Sequence, residues 1–295
     1  MEKVWIVIPV HNRSAVTERC LTRLREIAVL DWAQVLVVDD GSSDGTRRMI
    51  EHGFPGVRIV AGDGNLWWSG AIRLGMETAI TGGAECIIWL NDDTLPKRGA
   101  LEALVRLAVE KGTICGGVSR TPSEVFAYAG GGMHRRWPRR LQSIPGAESG
   151  PLPVEWLHGN MVAIPASVWR RIGLNESRWM KHNFADIEYT LRARRAGIPV
   201  LVIPAAQAEA SGNDSASYWS WRDPRLSWRA VMAGFSSPKV WWYLPALVYF
   251  KAVTAGAAGL ADCVWVCVKA LLLVFYKGIP ISGLTPNAKK SNGMH

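Results

Sequence analysis

The chain has 295 residues, 48% hydrophobic and 20% charged, a balance that excludes disorder over most of its length and supplies a sizeable core. Its formal charge of +9, with a pI of about 9.5, favours anionic partners, among them sugar nucleotides and acidic lipid headgroups. Nucleic acid is disfavoured, because the basic residues are scattered and no zinc finger or RNP box is present.

Residues 4–10 read as a first buried strand. Because the chain enters it at once, no signal peptide is expected and the folded part is expected to stay in the cytoplasm. The loop His11-Asn12-Arg13 follows, and Ser14 is placed to cap an amphipathic helix running to about residue 30. A second apolar run, 35–38, ends on Asp39-Asp40 and the turn Gly41-Ser42-Ser43-Asp44, ahead of a helix at 46–52. A short strand at 57–60 and a helix at 69–81 lead to a strand at 86–90, which ends on Asn91-Asp92-Asp93 before a helix at 97–111. This alternation implies right-handed crossovers and a doubly wound, mostly parallel sheet of the α/β class. Carboxylates at the carboxyl ends of its strands mark a ligand crevice.

From 121 to 153 the pattern breaks into Gly, Pro and Arg, with Gly130-Gly131-Gly132 and the basic run His134, Arg135, Arg136, Arg139 and Arg140. The segment reads as a mobile excursion beside the crevice or as a solvated loop. Strands at 154–157 and 160–164, a helix at 165–172, a helix carrying Asp186-Ile187-Glu188 that stops at Gly197, and a strand at 199–203 complete the α/β unit.

An apolar stretch, 240–276, comes next, broken by Pro245, Lys251, Asp262 and Lys269. Its longest uncharged segment, 252–261, is too short to cross a bilayer, and extending it to 268 would bury Asp262. Membrane contact therefore ranks above spanning: Trp241, Trp242, Tyr243, Trp265 and Tyr276 suit an interface, and Lys239, Lys251, Lys269 and Lys277 suit anionic headgroups. A helical hairpin packed on the domain or on a second subunit is the alternative. The expected division is 1–235, an α/β domain; 236–280, a helical membrane-associated or oligomerisation segment; and 281–295, a flexible tail. Cys20, Cys86, Cys115, Cys263 and Cys267 show neither metal spacing nor a disulfide framework, which points to a reducing compartment.

The acidic clusters carry the chemistry. A diphosphate leaves readily only when its developing charge is neutralised, usually by a divalent cation held by few carboxylates and several phosphate oxygens. In an extended turn Asn91 and Asp93 reach one site while Asp92 points elsewhere, which makes Asp93, with Asn91, the expected ligand of Mn2+ or Mg2+. Asp92 or Asp93 capping the next helix is the competing use. Asp39 and Asp40 suit a ribose hydroxyl or a pyrimidine N–H, or simply a turn.

Five segments in the same order, Ile8-Pro9-Val10-His11-Asn12-Arg13, 39–46, Asn91-Asp92-Asp93, 158–164 with the helix after it, and Asp186-Ile187-Glu188-Tyr189 with Leu191-Arg192 to Gly197, resemble glycosyltransferase family 2 with the GT-A fold, including its bacterial rhamnosyltransferase-like members. The resemblance covers about residues 3 to 210. It implies that Pro9, Asn12, Asp39 and Asp40 hold the nucleoside, that Asn91-Asp92-Asp93 takes the place of Asp-x-Asp with Asp92 on the donor side, and that Asp186 is the general base, Ala185 standing where many members have an acid. Gly64 to Gly70 occupies the place of the family's Gly/Asn-rich loop. Asn65 and Arg73 are therefore expected at the donor. Trp67 or Trp68 stacks on a sugar or base or packs in the core. His158, Gly159 and Asn160 are expected to floor an acceptor pocket.

One carboxylate opposite the leaving group suffices for inversion, and no second nucleophile for a retaining mechanism is apparent. No Gln-x-x-Arg-Trp motif follows Asp186, Trp219-Ser220-Trp221-Arg222 being the nearest cluster, which disfavours a processive synthase. The expected activity is transfer of a single sugar from a UDP-, dTDP- or GDP-linked donor to a lipid-linked or glycan acceptor, peripherally at the cytoplasmic membrane face, in cell-surface polysaccharide or glycolipid synthesis. A homo-oligomer is possible. Two alternatives stand beside it. A sugar-nucleotide pyrophosphorylase shares the fold class but normally shows a Gly-rich, Arg/Lys-bearing first loop. A degenerate, non-catalytic subunit of a membrane assembly complex fits Asn91 and the apolar C-terminal segment.

Overall fold

The computed structural model describes residues 3–121, 127–134, 136, 140–144, 150–210 and 226–278. Arg135, Arg139, the Trp219 to Arg222 cluster and the expected tail at 281–295 lie outside the described residues. In chain order the elements are β1 (Val4–Val10), α1 (Ser14–Glu26), β2 (Ala33–Asp39), α2 (Thr46–Gly53), β3 (Arg58–Ala61), α3 (Trp67–Thr81), β4 (Cys86–Leu90), β5 (Thr94–Pro96), α4 (Ala100–Lys111) and β6 (Ile114–Arg120). They continue with β7 (Ala127–Tyr128), β8 (Gly130–His134), β9 (Arg140–Ile144), β10 (Leu152–Pro153), β11 (Trp156–Leu157), β12 (Met161–Pro165), α5 (Ala166–Ile172), α6 (Ala185–Arg195), β13 (Val200–Ala210), α7 (Trp228–Gly234) and α8 (Leu244–Gly278).

The main sheet runs β10-β13-β6-β12-β4-β1-β2-β3. Strands β3, β2, β1 and β4 are mutually parallel, whereas β12 is antiparallel to both β4 and β6. Both faces are covered, and for that reason the strands are continuous apolar runs. Alternation sorts each run between two cores. Ile6, Ile8, Val35, Val37 and Ile88 join Leu21, Leu24 and Leu104 on one face, and Trp5, Val7, Leu36, Val38 and Trp89 join Ile72, Met76 and Tyr189 on the other.

Several expectations change in detail. The helix expected from 97 begins at Ala100 with Gly99 as its N-cap, because Thr94 to Pro96 is drawn off as β5 to pair with β13. Neither Asp92 nor Asp93 therefore caps it. Ser14 is the first residue of α1 rather than its cap; the Asp44 carboxylate accepts the Ser14 N–H at 2.8 Å and the Thr46 N–H at 3.1 Å, so one side chain caps both α1 and α2. These bonds hold the Asp44 carboxyl below its ordinary range, the Thr46 hydroxyl contributing most. Between 121 and 153 the described residues include short strands: β7 pairs with β6, and β8 pairs with β9 and β11 in a small second sheet. Strand β13 runs past Pro204 to Ala210, with its register shifted between Val202 and Gln207.

The apolar stretch is long and apolar enough to cross a membrane by composition, yet α8 is broken at Gly256 (φ 56°, ψ −139°). Cys263 Sγ reaches the Leu247 carbonyl at 3.7 Å and Lys251 Nζ lies 3.6 Å from the Asp262 carboxylate, contacts that bring together residues 16 and 11 apart. The chain thus doubles back as a helical hairpin. Its first arm places Ala246 and Phe250 in a cluster with Ile187 and Leu191 of α6.

Candidate active site

The crevice lies beyond the carboxyl ends of β1, β2 and β4, and its loops are tied to one another by side chains. Asn12 (φ 52°) accepts the Ser43 N–H on Oδ1 at 2.7 Å, and its own N–H donates to Ser42 Oγ at 2.8 Å. His11 donates from Nδ1 to the Asp40 carbonyl at 2.6 Å, which leaves Nε2 to accept from Asn12 Nδ2 at 3.1 Å. Pro9 precedes this loop within β1, opposite Val38 of β2. Asp39 and Asp40 are both buried. Asp39 accepts the Ser42 N–H at 3.0 Å. Asp40 turns the other way, taking the Gly64 N–H at 2.8 Å on Oδ1 and the Trp67 N–H at 3.0 Å on Oδ2. Any side chain at Gly62 would collide with that carboxylate, a Cβ falling 2.5 Å from Oδ1.

In the second cluster the expected alternation does not separate the two aspartates. Arg13, at the mouth of α1, places Nε 3.0 Å from Asp92 Oδ2 and Nη2 3.2 Å from Asp93 Oδ2, so one guanidinium binds both. Burial drives the Asp92 carboxyl up to about 7, against the pull of Arg13 and with a further push from Asp93. Burial likewise raises Asp93, again opposed by Arg13. Asn91 has a different partner; its Oδ1 accepts the Trp68 indole N–H at 2.8 Å.

The third cluster opens α6. Phe184 (φ 72°) turns the chain into the helix, and Asp186 then accepts the Gly159 N–H on Oδ2 at 2.7 Å and the Ile187 N–H on Oδ1 at 2.8 Å. Glu188 points elsewhere, paired with Arg192 at 3.0 Å; Arg192 also donates to the carbonyls of Ile172 and Leu174. His158 is half-buried, its imidazole 5.0 Å from the Trp156 ring; burial holds its pKa below the ordinary value while the Asp186 charge pulls it up.

Trp67 and Trp68 join all three clusters. Trp67 (φ 57°) bonds Asp40 through its backbone, and Trp68 bonds Asn91 through its indole. The Trp68 ring packs so closely on Gly159 that a Cβ there would lie 2.5 Å from it and 3.1 Å from the Asp186 Cβ. Asn160 completes the link by accepting the Asn91 N–H at 3.0 Å. Trp68 is a core residue as much as a site residue, edge-on to Trp89 at 5.7 Å. Asn65 Oδ1 accepts from the Trp67 indole and from Lys181 Nζ. Arg73 is not brought to the acidic clusters: it pairs with Glu77 at 3.0 Å and donates to the Asn175 carbonyl at 3.0 Å.

Arg13, Thr17, Lys181 and His182 are the site residues missed in the sequence. Arg13 had a signal, being the basic residue that ends the first loop. Thr17, whose hydroxyl donates to Asp92 at 3.4 Å, and Lys181 and His182, which stand by Asn65 and Trp67, had none. Among the described residues no group of three His, Cys, Asp or Glu side chains forms a metal cage. The donor set nevertheless suits a hard divalent ion that keeps most of its coordination for phosphate and water. Two adjacent carboxylates are held where desolvation penalises their charge, and a cation beside Asp93 would add to the relief that Arg13 gives them.

A mixed sheet with acidic loops at its parallel-strand ends, and an acid-led helix facing them, defines a GT-A type transferase. The chain belongs to the glycosyl transferase family 2: residues 5–197 match the family model. It is similar to the N-acetylglucosaminyl-diphospho-decaprenol L-rhamnosyltransferase of Mycobacterium tuberculosis, 26% identical over 235 residues that make up 68% of this chain and 75% of that one. In fold it resembles GalNAc-T7, solved with UDP, GalNAc and Mn2+, at a TM-score of 0.58 and 13% identity, covering 88% of this chain but only 51% of that one. It also resembles the Pyrobaculum calidifontis mannosyltransferase PcManGT, solved with GDP-Man and Mn2+, at a TM-score of 0.53 and 17% identity, covering 93% of this chain and 79% of that one.

Proposed function

We propose that this glycosyltransferase moves a single hexose or deoxyhexose, with inversion and in a metal-dependent reaction, from a UDP-, dTDP- or GDP-linked donor to a hydroxyl of a lipid-linked or glycan acceptor. The observation that carries the reading is the contact chain from Asp40 through Trp67 and Trp68 to Asn91, Gly159 and Asp186, which links the three acidic clusters and supports their acting as one site. Rhamnose is the first sugar to test, on the printed activity of the mycobacterial relative.

In this mechanism the first two loops grip the nucleoside with Asn12, Asp39 and Asp40. Asp93, beside Asp92, would hold a divalent ion, which would supply positive charge against the diphosphate. The acceptor oxygen attacks the anomeric carbon as the bond to the diphosphate breaks, the electron pair leaving with the nucleoside diphosphate and the hydroxyl proton passing to Asp186. Inversion is supported by the state of the neighbouring acid: Glu188 is engaged by Arg192 and does not offer a second carboxylate.

The unit at 1–235 carries the chemistry, and the hairpin within 236–280 holds it peripherally on the cytoplasmic membrane face, where cell-surface glycans or glycolipids begin. The test is a panel of sugar nucleotides assayed with Mn2+ or Mg2+. Turnover with one donor, lost on chelation, is expected, and no binding or turnover of any donor sinks the proposal. A non-catalytic role draws on Asn91, whose side-chain oxygen serves Trp68. Metal-dependent hydrolysis of the donor by the isolated chain separates the two, since only the enzyme shows it.

A further inference from the structure

Away from the crevice, the described residues line a half-open cavity of about 450 Å3 where the end of α6 and strand β8 meet the bend of the hairpin. Arg194 and Arg195 give it a cationic side with His134 next to them, Met133 and Leu191 an apolar one, and Thr254 lies at the bend. Basic residues in the last turn of a helix ordinarily answer its dipole. The three arginines here have different occupations. Arg192 serves Glu188, and Arg195 donates to the carbonyls of Val253 and Thr254 at 2.6 and 2.7 Å, tying α6 to the arm that ends at Gly256. Arg194 is exposed on the cavity wall and makes no ion pair with the described residues. Glu155, the acid in this cavity, accepts the Met133 N–H and so is held to β8.

The same two elements lead from the cavity to Asp186. Along α6, Arg194 is eight residues from Asp186, roughly 12 Å. Along the segment packed on it, Glu155 is three residues from His158, roughly 10 Å. The Leu157 N–H donates to Thr190 Oγ1 and locks the two tracks side by side. On its far side the cavity meets the bend into the second hairpin arm, where Leu260, Val264, Val268, Leu271, Leu272 and Phe275 are all exposed. Proceeding outward, the order is a carboxylate, a cationic cavity and an apolar stripe. A hydroxyl, a diphosphate and a hydrocarbon chain occur in that order in a sugar carried on a polyprenyl diphosphate.

We propose that this cavity binds the diphosphate of a polyprenyl-linked acceptor, with Arg194 as its main contact and Arg195 and His134 beside it. The proposal rests on the lipid-linked form of the acceptor given above. It is tested with the full chain on vesicles of phosphatidylcholine alone, with polyprenyl diphosphate, or with phosphatidylglycerol at matched charge. Binding to the polyprenyl diphosphate vesicles is expected to be about tenfold tighter than to either other set. Soluble inorganic pyrophosphate should compete away that excess. Arg194→Gln should lose it, Arg194→Lys should keep most of it, and binding to phosphatidylcholine should not change. An excess that survives Arg194→Gln, or that phosphatidylglycerol reproduces in full, overturns the proposal. Donor binding by thermal shift is read in parallel: its absence counts against the transferase reading alone, because the vesicle comparison needs no donor.

Discussion

Asp186 is held from both sides, Oδ2 by the Gly159 N–H and Oδ1 by the Ile187 N–H, while each oxygen keeps a lone pair for an incoming proton. An amide at this position has a single oxygen, so one of those N–H groups loses its acceptor and no base remains. Asp186→Asn should therefore lower kcat by about 10³-fold, the scale of a general base, while donor affinity by calorimetry stays close to wild type. Near-normal turnover would remove Asp186 from the role. Its neighbour His158 gives a pH signature. Burial depresses the folded-state pKa of His158, so below the unfolded value of about 6.5 the unfolded chain binds a proton that the folded chain resists. The histidine's contribution is complete above that value and is lost as the pH falls through the folded pKa. Asp92 and Asp93, raised by burial, gain stability over the same fall in pH, so the test is a difference: from pH 7 to pH 5 the wild type should lose melting temperature relative to His158→Gln, and a constant difference between the two refutes the assignment.

At the scale of elements, the loop from β3 into α3 depends on a residue outside it. Asp40 supplies acceptors to Gly64 and Trp67, and Trp67 starts a helix in a backbone conformation that favours glycine. Asp40→Ala removes two charge-assisted bonds and should cost about 2–3 kcal/mol in denaturant unfolding, together with a raised KM for donor. An unchanged stability would mean that the loop holds itself. The strands that bring Asp39 and Asn91 to the crevice were legible in the sequence, because buried parallel strands are unbroken apolar runs that end at turn residues. Strand β5 was not legible, since three residues carry no period and pairing with β13 alone makes them a strand. The strands between 127 and 144 were hidden for a different reason. Gly131 is required there by the close approach of the Gln142 carbonyl, and glycine-rich sequence reads as loop. Of the site, positions on strand ends could be read, whereas cross-chain partners such as Arg13 with Asp92 depend on the tertiary fold.

Over the whole molecule, the C-terminal hairpin separates two kinds of surface. Its first arm is fastened to the α/β unit, through Phe250 stacked on Phe184 at 4.7 Å and through Arg195 at its last carbonyls. The reversal at Gly256 could not be read from composition, because a glycine amid small apolar residues looks the same in a straight helix and in a bend; its positive φ, the Cys263–Leu247 contact and the Lys251–Asp262 pair reveal it. Folding back has a consequence for the second arm. Asp262 is covered by the first arm, while Val264, Leu271, Leu272 and Phe275, at 64%, 58%, 62% and 72% exposure, share one face with no described partner for so much apolar area. Lys269, folded over the Trp265 ring, borders that face with a charge suited to headgroups. A surface of this kind partitions into a bilayer interface in proportion to the apolar area it buries. Placing a glutamate at Leu271 or at Phe275 removes a side chain whose burial is worth about 1.5–3 kcal/mol, so each substitution should weaken cosedimentation with phosphatidylcholine vesicles by more than about tenfold. Donor binding should be unaffected, since neither residue approaches the crevice. If both variants sediment like wild type, the stripe does not face lipid, and the concentration dependence of the oligomeric state then decides whether a second copy of the chain covers it.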